Sequence, residues 1–221
     1  MGAELVRSGI LLCLVGPAGA GKTTLCDHLL AAFPGCKLSV SVTSRAARAG
    51  EVQGRSYFFV SRAEFEGKIK RAEFFEFEEV HGNFYGTLKE TLEGSIRDGV
   101  DLLLDVDIKG ALNIKQAHSA NTVVVFIAPP SGEELQRRIL GRGDVSKDDL
   151  VRRLETAKRE YQTLLKAYQG SAQSASNTAV DYLVVNQELA ETQATLVSIL
   201  RAERQRLRRL EGAELKSLLE L

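Results

Sequence analysis

One eight-residue segment constrains the fold of this chain more than any other part of the sequence. It fits the pattern GxxxxGK followed by Ser or Thr, and its members are Gly16, Pro17, Ala18, Gly19, Ala20, Gly21, Lys22 and Thr23, with Thr24 directly after them. An apolar run at residues 10–15 precedes the segment, and a helical pattern at residues 22–33 follows it. A buried strand, a glycine-rich loop and a helix in this order predict a phosphate-binding loop.

Each fixed position of this loop has a chemical reason. Glycines let the backbone curl so that its N–H groups point inward, and the helix N-terminus adds partial positive charge. Lys22 can bridge the β- and γ-phosphates of a nucleoside triphosphate, and the Thr23 hydroxyl can bind Mg²⁺. The loop therefore predicts nucleotide binding, but it does not identify the group that receives the phosphate.

The patterns along the rest of the chain predict an α/β fold. Apolar runs of strand length recur at residues 38–42, 102–106, 123–127 and 182–185, and helical patterns separate them. This alternation predicts a doubly wound parallel sheet in a single domain that spans residues 1–221. A helical pattern from residue 188 to residue 210 closes the chain, with a break expected at Gly212.

Two segments depart from this alternation. Residues 43–87 contain strand patterns at 57–60 and 74–80 and a short helix, which predicts a small β-rich lobe inserted between core segments 1–42 and 88–221. Ser61 with Glu64 and Thr87 with Glu90 have the spacing of capping boxes, so helices are expected to begin there. The short, charged, glycine-containing stretch at 142–149 predicts a mobile flap. A flexible loop is expected at 170–178, after a helix at 150–168.

Composition excludes several classes of function. The 29 basic and 29 acidic residues cancel, so no overall field attracts nucleic acid or a membrane surface, and no partner of either kind is expected. The five arginines near the C-terminus alternate with acidic and apolar residues, as on a solvated helix. The three cysteines form no CxxC pair, which is typical of reduced thiols in the cytoplasm.

A polar loop in the predicted lobe suggests how an acceptor is held. Arg45 and Arg48 are three residues apart in the segment from Ser41 to Glu51, and Gly50 and Gly54 follow them. Two guanidinium groups at this spacing can grip a phosphate monoester through forked, charge-assisted hydrogen bonds. Downstream lie Glu76, the stretch 82–87 with sequence GNFYGT, and the stretch 104–107 with sequence LDVD.

With these residues in this order, the chain resembles the guanylate kinase family from the phosphate loop to Asn186. The resemblance implies a P-loop kinase core, a GMP-binding lobe at 43–87 and the lid at 138–155. It also implies phosphorylation of GMP, and of dGMP, by ATP with Mg²⁺, in a monomer or homodimer. Ala47 stands where the family usually has proline, and Lys109 stands where glutamine is common.

The resemblance also assigns roles to individual residues. Those implied to hold the GMP phosphate are Arg45, Arg48, Tyr57 and Tyr85. Those implied near guanine are Ser41, Glu76 and Thr87, with Asp105 or Asp107 between the base and the phosphate centre. Cations implied at the transferring phosphoryl group are Lys22, Arg45, Arg48, Arg138, Arg142 and Arg153. Asn186 is implied to border the adenine of ATP.

Two other functions remain open from the sequence alone. A kinase of ribose bisphosphate or another small molecule would share the phosphate loop and a similar arginine loop. A guanylate-kinase-like scaffold module would bind phosphorylated peptide without catalysis, and such modules usually have a degraded phosphate loop. Glu76 with the stretch 82–87 favours guanine over a sugar, and the intact loop favours catalysis.

Overall fold

The computed structural model describes residues 6–80, 82–141, 143, 145–172 and 179–210, together with residues 212 and 216. In chain order its elements are β1 (Leu11–Val15), α1 (Lys22–Ala32), β2 (Lys37–Leu38), β3 (Val42–Thr43), β4 (Phe58–Phe59), α2 (Arg62–Lys70), β5 (Phe74–Val80), β6 (Asn83–Leu88), α3 (Lys89–Arg97), β7 (Leu102–Asp105), α4 (Ile108–Ala117), β8 (Thr122–Ala128), α5 (Gly132–Leu140), α6 (Lys147–Ala172), β9 (Tyr182–Val185) and α7 (Leu189–Arg204), followed by a 3₁₀ turn at Leu207–Arg209.

Five parallel strands form the central sheet in the order β2-β7-β1-β8-β9. All residues of β1 are buried, because helices cover both faces of the sheet. Leu12 and Leu14 pack against α1 and α7 on one face. Leu11 and Cys13 pack against α3, α4 and α6 on the other. The alternation follows from the two-residue period of a strand, and the predicted doubly wound sheet is confirmed.

A second, four-stranded sheet has the order β4-β3-β6-β5 and is covered by α2. Phe65 of α2 stacks on Phe74 and Phe84 with ring centres 4.2 and 5.2 Å apart, which fixes the helix against the sheet. The Ser61–Glu64 capping box is present. The expected strand at 38–42 was wrong as a single element, because β2 joins the central sheet and β3 joins the second one.

Other local expectations were also wrong. The predicted Thr87–Glu90 capping box is absent, because Thr87 lies inside β6 and α3 begins with Leu88 as its N-cap without a side-chain cap. Helix α6 extends to Ala172, beyond its expected end, and residues 173–178 of the expected loop lie outside the described part of the chain. Helix α7 ends at Arg204 rather than near residue 210.

The C-terminal arginines are not all on a solvated face, contrary to expectation. Arg209 is buried, pairs with Glu203, and donates to the Ala120 carbonyl oxygen at 2.7 Å. Arg204 donates to the Asp101 carboxylate at 2.7 Å. Among the described residues, no helix is both long enough and apolar enough to cross a bilayer.

Asp101 connects three distant segments at the start of β7. Its carboxylate, which is fully buried, accepts hydrogen bonds from Arg7 at 2.6 and 2.9 Å, from Arg204 at 2.7 Å and from the Ile10 backbone N–H at 3.1 Å. These contacts attach the segment before β1 and the end of α7 to the central sheet. A buried anion with this many donors is stabilising only while all of its partners remain.

Replacing Asp101 with Asn should therefore destabilise the protein by about 3–5 kcal/mol, because two arginines lose the anion that neutralises them. Urea unfolding followed by circular dichroism gives this free energy. Asp98→Asn, at an exposed carboxylate paired with Arg97, is the control and should change stability little. Equal stability of the two variants would contradict the structural importance of Asp101.

Candidate active site

The phosphate loop has a backbone that only glycine can adopt at key positions. Gly16, Gly19 and Gly21 have φ angles of 130°, 98° and 96°, in the region that side chains disfavour. A Cβ atom at Gly16 would lie 2.2 Å from the Ile127 carbonyl oxygen of the neighbouring strand. The loop therefore lies directly against β8, and its curvature depends on these glycines.

Lys22 places its ammonium group inside this curve. Its Nζ donates to the Gly16 carbonyl oxygen at 2.6 Å and lies 3.8 Å from Asp105 Oδ1 at the end of β7. Thr23 and Thr24 are exposed in the first turn of α1. The structure thus brings a cation, a carboxylate and two hydroxyl-bearing residues to the carboxyl ends of neighbouring strands.

A cavity of about 390 Å³ opens on one side of the loop, and its lining includes Gly19, Gly21, Thr24, Arg138 and Asn186. Asn186 is buried, and its Nδ2 donates to the Ala20 carbonyl oxygen at 2.8 Å. Arg138 donates to the Asn186 carbonyl oxygen at 2.9 Å and pairs with Glu134. Asn186 therefore supports the phosphate loop as well as lining the cavity beside it.

A second cavity, of about 530 Å³, lies between the second sheet and the start of α4, and the predicted residues in its lining are Ser41, Glu76, Tyr85, Thr87 and Asp107. Glu76 of β5 is paired with Thr87 of β6 across the antiparallel ladder. Asp107 caps α4 through a 2.7 Å bond from the Gly110 N–H. A Cβ atom at Gly110 would lie 3.0 Å from Glu76 Oε1, so this glycine lets the start of α4 lie close to the Glu76 carboxylate.

The second cavity is an unfavourable electrostatic environment for the ionised Glu76 carboxylate. Burial raises the pKa of Glu76, and the neighbouring carboxylates Asp107 and Glu78 raise it further. No described residue donates a hydrogen bond to the Glu76 side chain or pairs with it. A ligand with N–H donors would therefore satisfy a half-buried acceptor for which the described part of the chain provides no partner.

Arg45 lies beside this cavity in a cluster of aromatic rings. Its guanidinium carbon is 5.5 Å from the centre of the Tyr57 ring, and that ring is 5.9 Å from the ring of Tyr85. Glu51 forms a two-pronged pair with Arg45 and also accepts from the Arg48 backbone N–H at 2.7 Å. The Arg48 side chain is exposed. Arg45, Tyr57 and Tyr85 are therefore brought together.

Helix α6 packs against α4 and α5. Arg153 on this helix is partly buried and has no ion-pair partner among the described residues. Glu160 lies two turns later, and its buried Oε2 atom likewise has no described hydrogen-bond partner. Burial raises the pKa of Glu160, the Lys22 ammonium lowers it, and the Asp107 carboxylate raises it. Arg142 lies outside the described residues.

A family model described as guanylate kinase matches residues 8–203. The chain belongs to the guanylate kinase family. It is 41% identical over 198 residues to the guanylate kinase of Geobacter metallireducens, covering 90% of this chain and 91% of that protein. It is 39% identical over 201 residues to that of Thermotoga maritima, covering 91% and 90%.

A solved structure of a guanylate kinase is also similar to this chain. The enzyme from Anaplasma phagocytophilum superimposes with a TM-score of 0.71 at 36% sequence identity, over 98% of this chain and 96% of that one. The family expected from the sequence is thus confirmed, together with its P-loop core and second sheet.

The sequence patterns alone did not identify two acidic residues near the candidate site of this guanylate kinase family member, Glu51 and Glu160. Glu51 could have been found, because it continues the three-residue spacing of Arg45 and Arg48. Glu160 could have been suspected because it lies seven residues after Arg153, on the same helix face. Neither contact was predictable, because each depends on side chains that tertiary packing brings together.

Asn186 provides a test of how the phosphate loop is supported. Asn186→Ala leaves the buried Ala20 carbonyl oxygen without its donor, so we expect a loss of about 1–3 kcal/mol in the free energy of unfolding. Chemical denaturation measures it. The exposed neighbour supplies the control, Gln187→Ala, which should remain near wild-type stability. Equal values for both variants would mean that this hydrogen bond does not stabilise the loop.

Proposed function

We propose that this chain transfers the γ-phosphoryl group of ATP to GMP, and also to dGMP, to give the nucleoside diphosphate. The observation that carries the proposal is the pair of cavities, because one adjoins a complete phosphate loop and the other contains a half-buried Glu76 with no partner among the described residues. Lys22 and Asp105 lie 3.8 Å apart beside this loop. This arrangement suits a reaction that joins two nucleotides at their phosphates.

Guanine fits the chemistry of the second cavity. Its N1–H and 2-amino groups are donors, and the Glu76 carboxylate can accept from both, with each charged hydrogen bond contributing roughly 1.5–3 kcal/mol. Ser41 and Thr87 line the same cavity and can donate to O6. Adenine would present an acceptor at N1 and would leave Glu76 unpaired, so the site should reject it.

The phosphate of GMP fits the adjoining arginine cluster. Arg45 offers a forked cation, and Tyr57 and Tyr85 offer hydroxyl donors on the same side. Arg48 is close enough that its charge lowers the pKa of Glu51, so it adds positive potential to the loop. The base and the phosphate would then be fixed at two ends, which orients the acceptor toward Lys22.

Transfer requires positioning and countercharge rather than a general base. The second pKa of a phosphate monoester is about 6, so GMP arrives already ionised. Lys22, Arg45, Arg142 and Arg153 would oppose the charge that develops between the two phosphates, and Arg138 lies at the ATP side. Closure of the lobe and of the proposed lid at 138–155 over both substrates would exclude water.

The residues beside Lys22 fit a magnesium ion. The Thr23 hydroxyl and the Asp105 carboxylate supply hard oxygen ligands, and no ready-made cage of three His, Cys, Asp or Glu exists among the described residues. This donor set suits Mg²⁺, which usually retains waters and binds phosphate oxygens. When bound, the ion supplies charge neutralisation at the β- and γ-phosphates. Three buried, unpaired cysteines favour a cytoplasmic enzyme.

The acceptor itself is the decisive test. With Mg-ATP, we expect ADP formation with GMP and dGMP, and at least about 100-fold lower kcat/KM with AMP, CMP, UMP or ribose bisphosphate, because among these acceptors only guanine presents two adjacent N–H donors to Glu76. Coupled measurement of ADP gives these values. Lys22→Ala gives the background rate of the assay, because loss of this charge should lower turnover by roughly 100-fold or more. Preference for ribose bisphosphate, or an inactive wild-type protein, would reject the proposal.

Glu76 should set the choice of base. Glu76→Gln keeps the shape of the side chain but removes its charge and one acceptor, so kcat/KM for GMP should fall at least roughly tenfold, with a smaller loss or a gain for AMP. Glu79→Gln is the control, because Glu79 is on the same strand but pairs with Arg62. An unchanged ratio of GMP to AMP activity in Glu76→Gln would place specificity elsewhere.

A further inference from the structure

Glu51 occupies a defined half of the Arg45 guanidinium. Arg45 Nη1 donates to Glu51 Oε2 at 3.0 Å and to the Ala46 carbonyl oxygen at 2.7 Å, which uses both of its hydrogens. Nη2 donates one hydrogen to Glu51 Oε1 at 2.8 Å. The second Nη2 hydrogen and the Nε hydrogen make none of these bonds, and they lie on one edge of the planar group.

This edge, which Glu51 and Ala46 leave open, belongs to a guanidinium that is held from several directions. The rings of Tyr57 and Phe59 have their centres 5.5 and 5.8 Å from its carbon atom. The hydrogen bond with Glu51 is the largest cause that raises the pKa of Arg45, and an interaction with the Tyr85 hydroxyl raises it further, so Tyr85 would share the second edge with a bound phosphate. Tyr85 also lines the second cavity, which places the Arg45 cluster next to the acceptor.

Glu51 is itself fixed in place by the loop that it stabilises. Its Oε2 atom accepts from the Arg48 backbone N–H at 2.7 Å in addition to Arg45. Hydrogen bonds from Arg45 and from this N–H lower the pKa of Glu51 to about 2. The carboxylate therefore stays ionised at any pH used for an enzyme assay, and the pair persists there.

We propose that Glu51 is a positioning residue, which binds one edge of Arg45 and presents the other edge to the phosphate of the acceptor. This inference rests on the proposed use of GMP. The phosphate can bind the Nε–Nη2 edge without displacing Glu51, because a guanidinium has two edges that can each hold two oxygens. The side-chain freedom of Arg45 is then lost during folding rather than during binding.

The opposite reading gives an effect of opposite sign. If the phosphate had to displace Glu51, the carboxylate would compete with the substrate, and its removal would tighten binding. If Glu51 positions Arg45, its removal releases the guanidinium and weakens binding. The direction of change in the KM for GMP therefore separates the two readings.

Glu51→Gln is the test, because the amide keeps the size of the side chain but cannot hold both Nη groups. We expect the KM for GMP to rise about tenfold, as for the loss of one charged hydrogen bond, with a smaller change in kcat and none in the KM for ATP. Guanosine lacks the phosphate, so its inhibition constant should not change. Glu66→Gln removes a surface pair with Arg62 in the same lobe and is the control.

The kinetic outcomes are distinguishable from failure of the proposed function. An inactive wild-type protein would reject the use of GMP, whereas an active wild type with an unchanged or lower KM in Glu51→Gln would reject only the role of Glu51. An equal loss of affinity for guanosine and GMP would also overturn it, because it would indicate general damage to the lobe.

A second measurement tests the hold on Arg45 without any substrate. The Arg45 ¹⁵Nε–H resonance, assigned by its loss in Arg45→Lys, should be resolved from those of exposed arginines in the wild type and in Glu66→Gln. In Glu51→Gln it should move toward the exposed-arginine position. A resonance that stays unchanged in Glu51→Gln would show that Glu51 does not position Arg45.

Discussion

The parallel register of the central sheet is the constraint on which the rest of the structure depends. Leu14 is paired with Asp105, Val15 with Phe126, and Ala128 with Val185, so strands β1, β7, β8 and β9 end at one edge. The ends of these strands and the segments after them contain the phosphate loop, Asp105 and Asp107, the start of α5 and Asn186. Ligands of open α/β sheets bind at this edge because the loops there converge. A one-residue slip in β7 would therefore reverse the face of Asp105 and remove it from Lys22.

The sequence predicted those parts of the fold and site that depend on local patterns. The phosphate loop, the buried strands and the cap of α2 follow from the residues immediately around them. The Thr87 cap failed because strand pairing with Glu76 outweighs a local capping preference. The predicted strand at 38–42 is two strands in the structure, because β2 pairs in the central sheet and β3 pairs in the second sheet. No local sequence pattern indicates this difference in pairing. For the same reason, the contacts of Glu51 and Glu160 could be identified only from the structure.

The buried charges of the core and those of the candidate site differ in how they are satisfied. Asp101, Lys115 and Glu203 each have opposite charges or several hydrogen bonds within the protein, as stable buried ions require. Glu76 and the Oε2 atom of Glu160 have no such partners among the described residues. Burial without compensation reduces stability, so a carboxylate of this kind is more easily explained by what it binds than by what it stabilises.

The distribution of charge around the two cavities also determines how an acceptor must lie. The carboxylates Glu76, Glu78 and Asp107 outnumber the one cation, Lys109, among the described residues that line the second cavity, so this cavity would favour the N–H edge of a base over a phosphate. Arg45 and Arg48, beyond Tyr85, have the opposite preference. A nucleoside monophosphate contains both an N–H edge and a dianion, so only one orientation satisfies both ends. A free phosphate or an uncharged base would satisfy only one of these two ends. The same charges therefore determine both the binding and the orientation of the acceptor. In-line transfer from the neighbouring phosphate loop requires an acceptor that is oriented in this way.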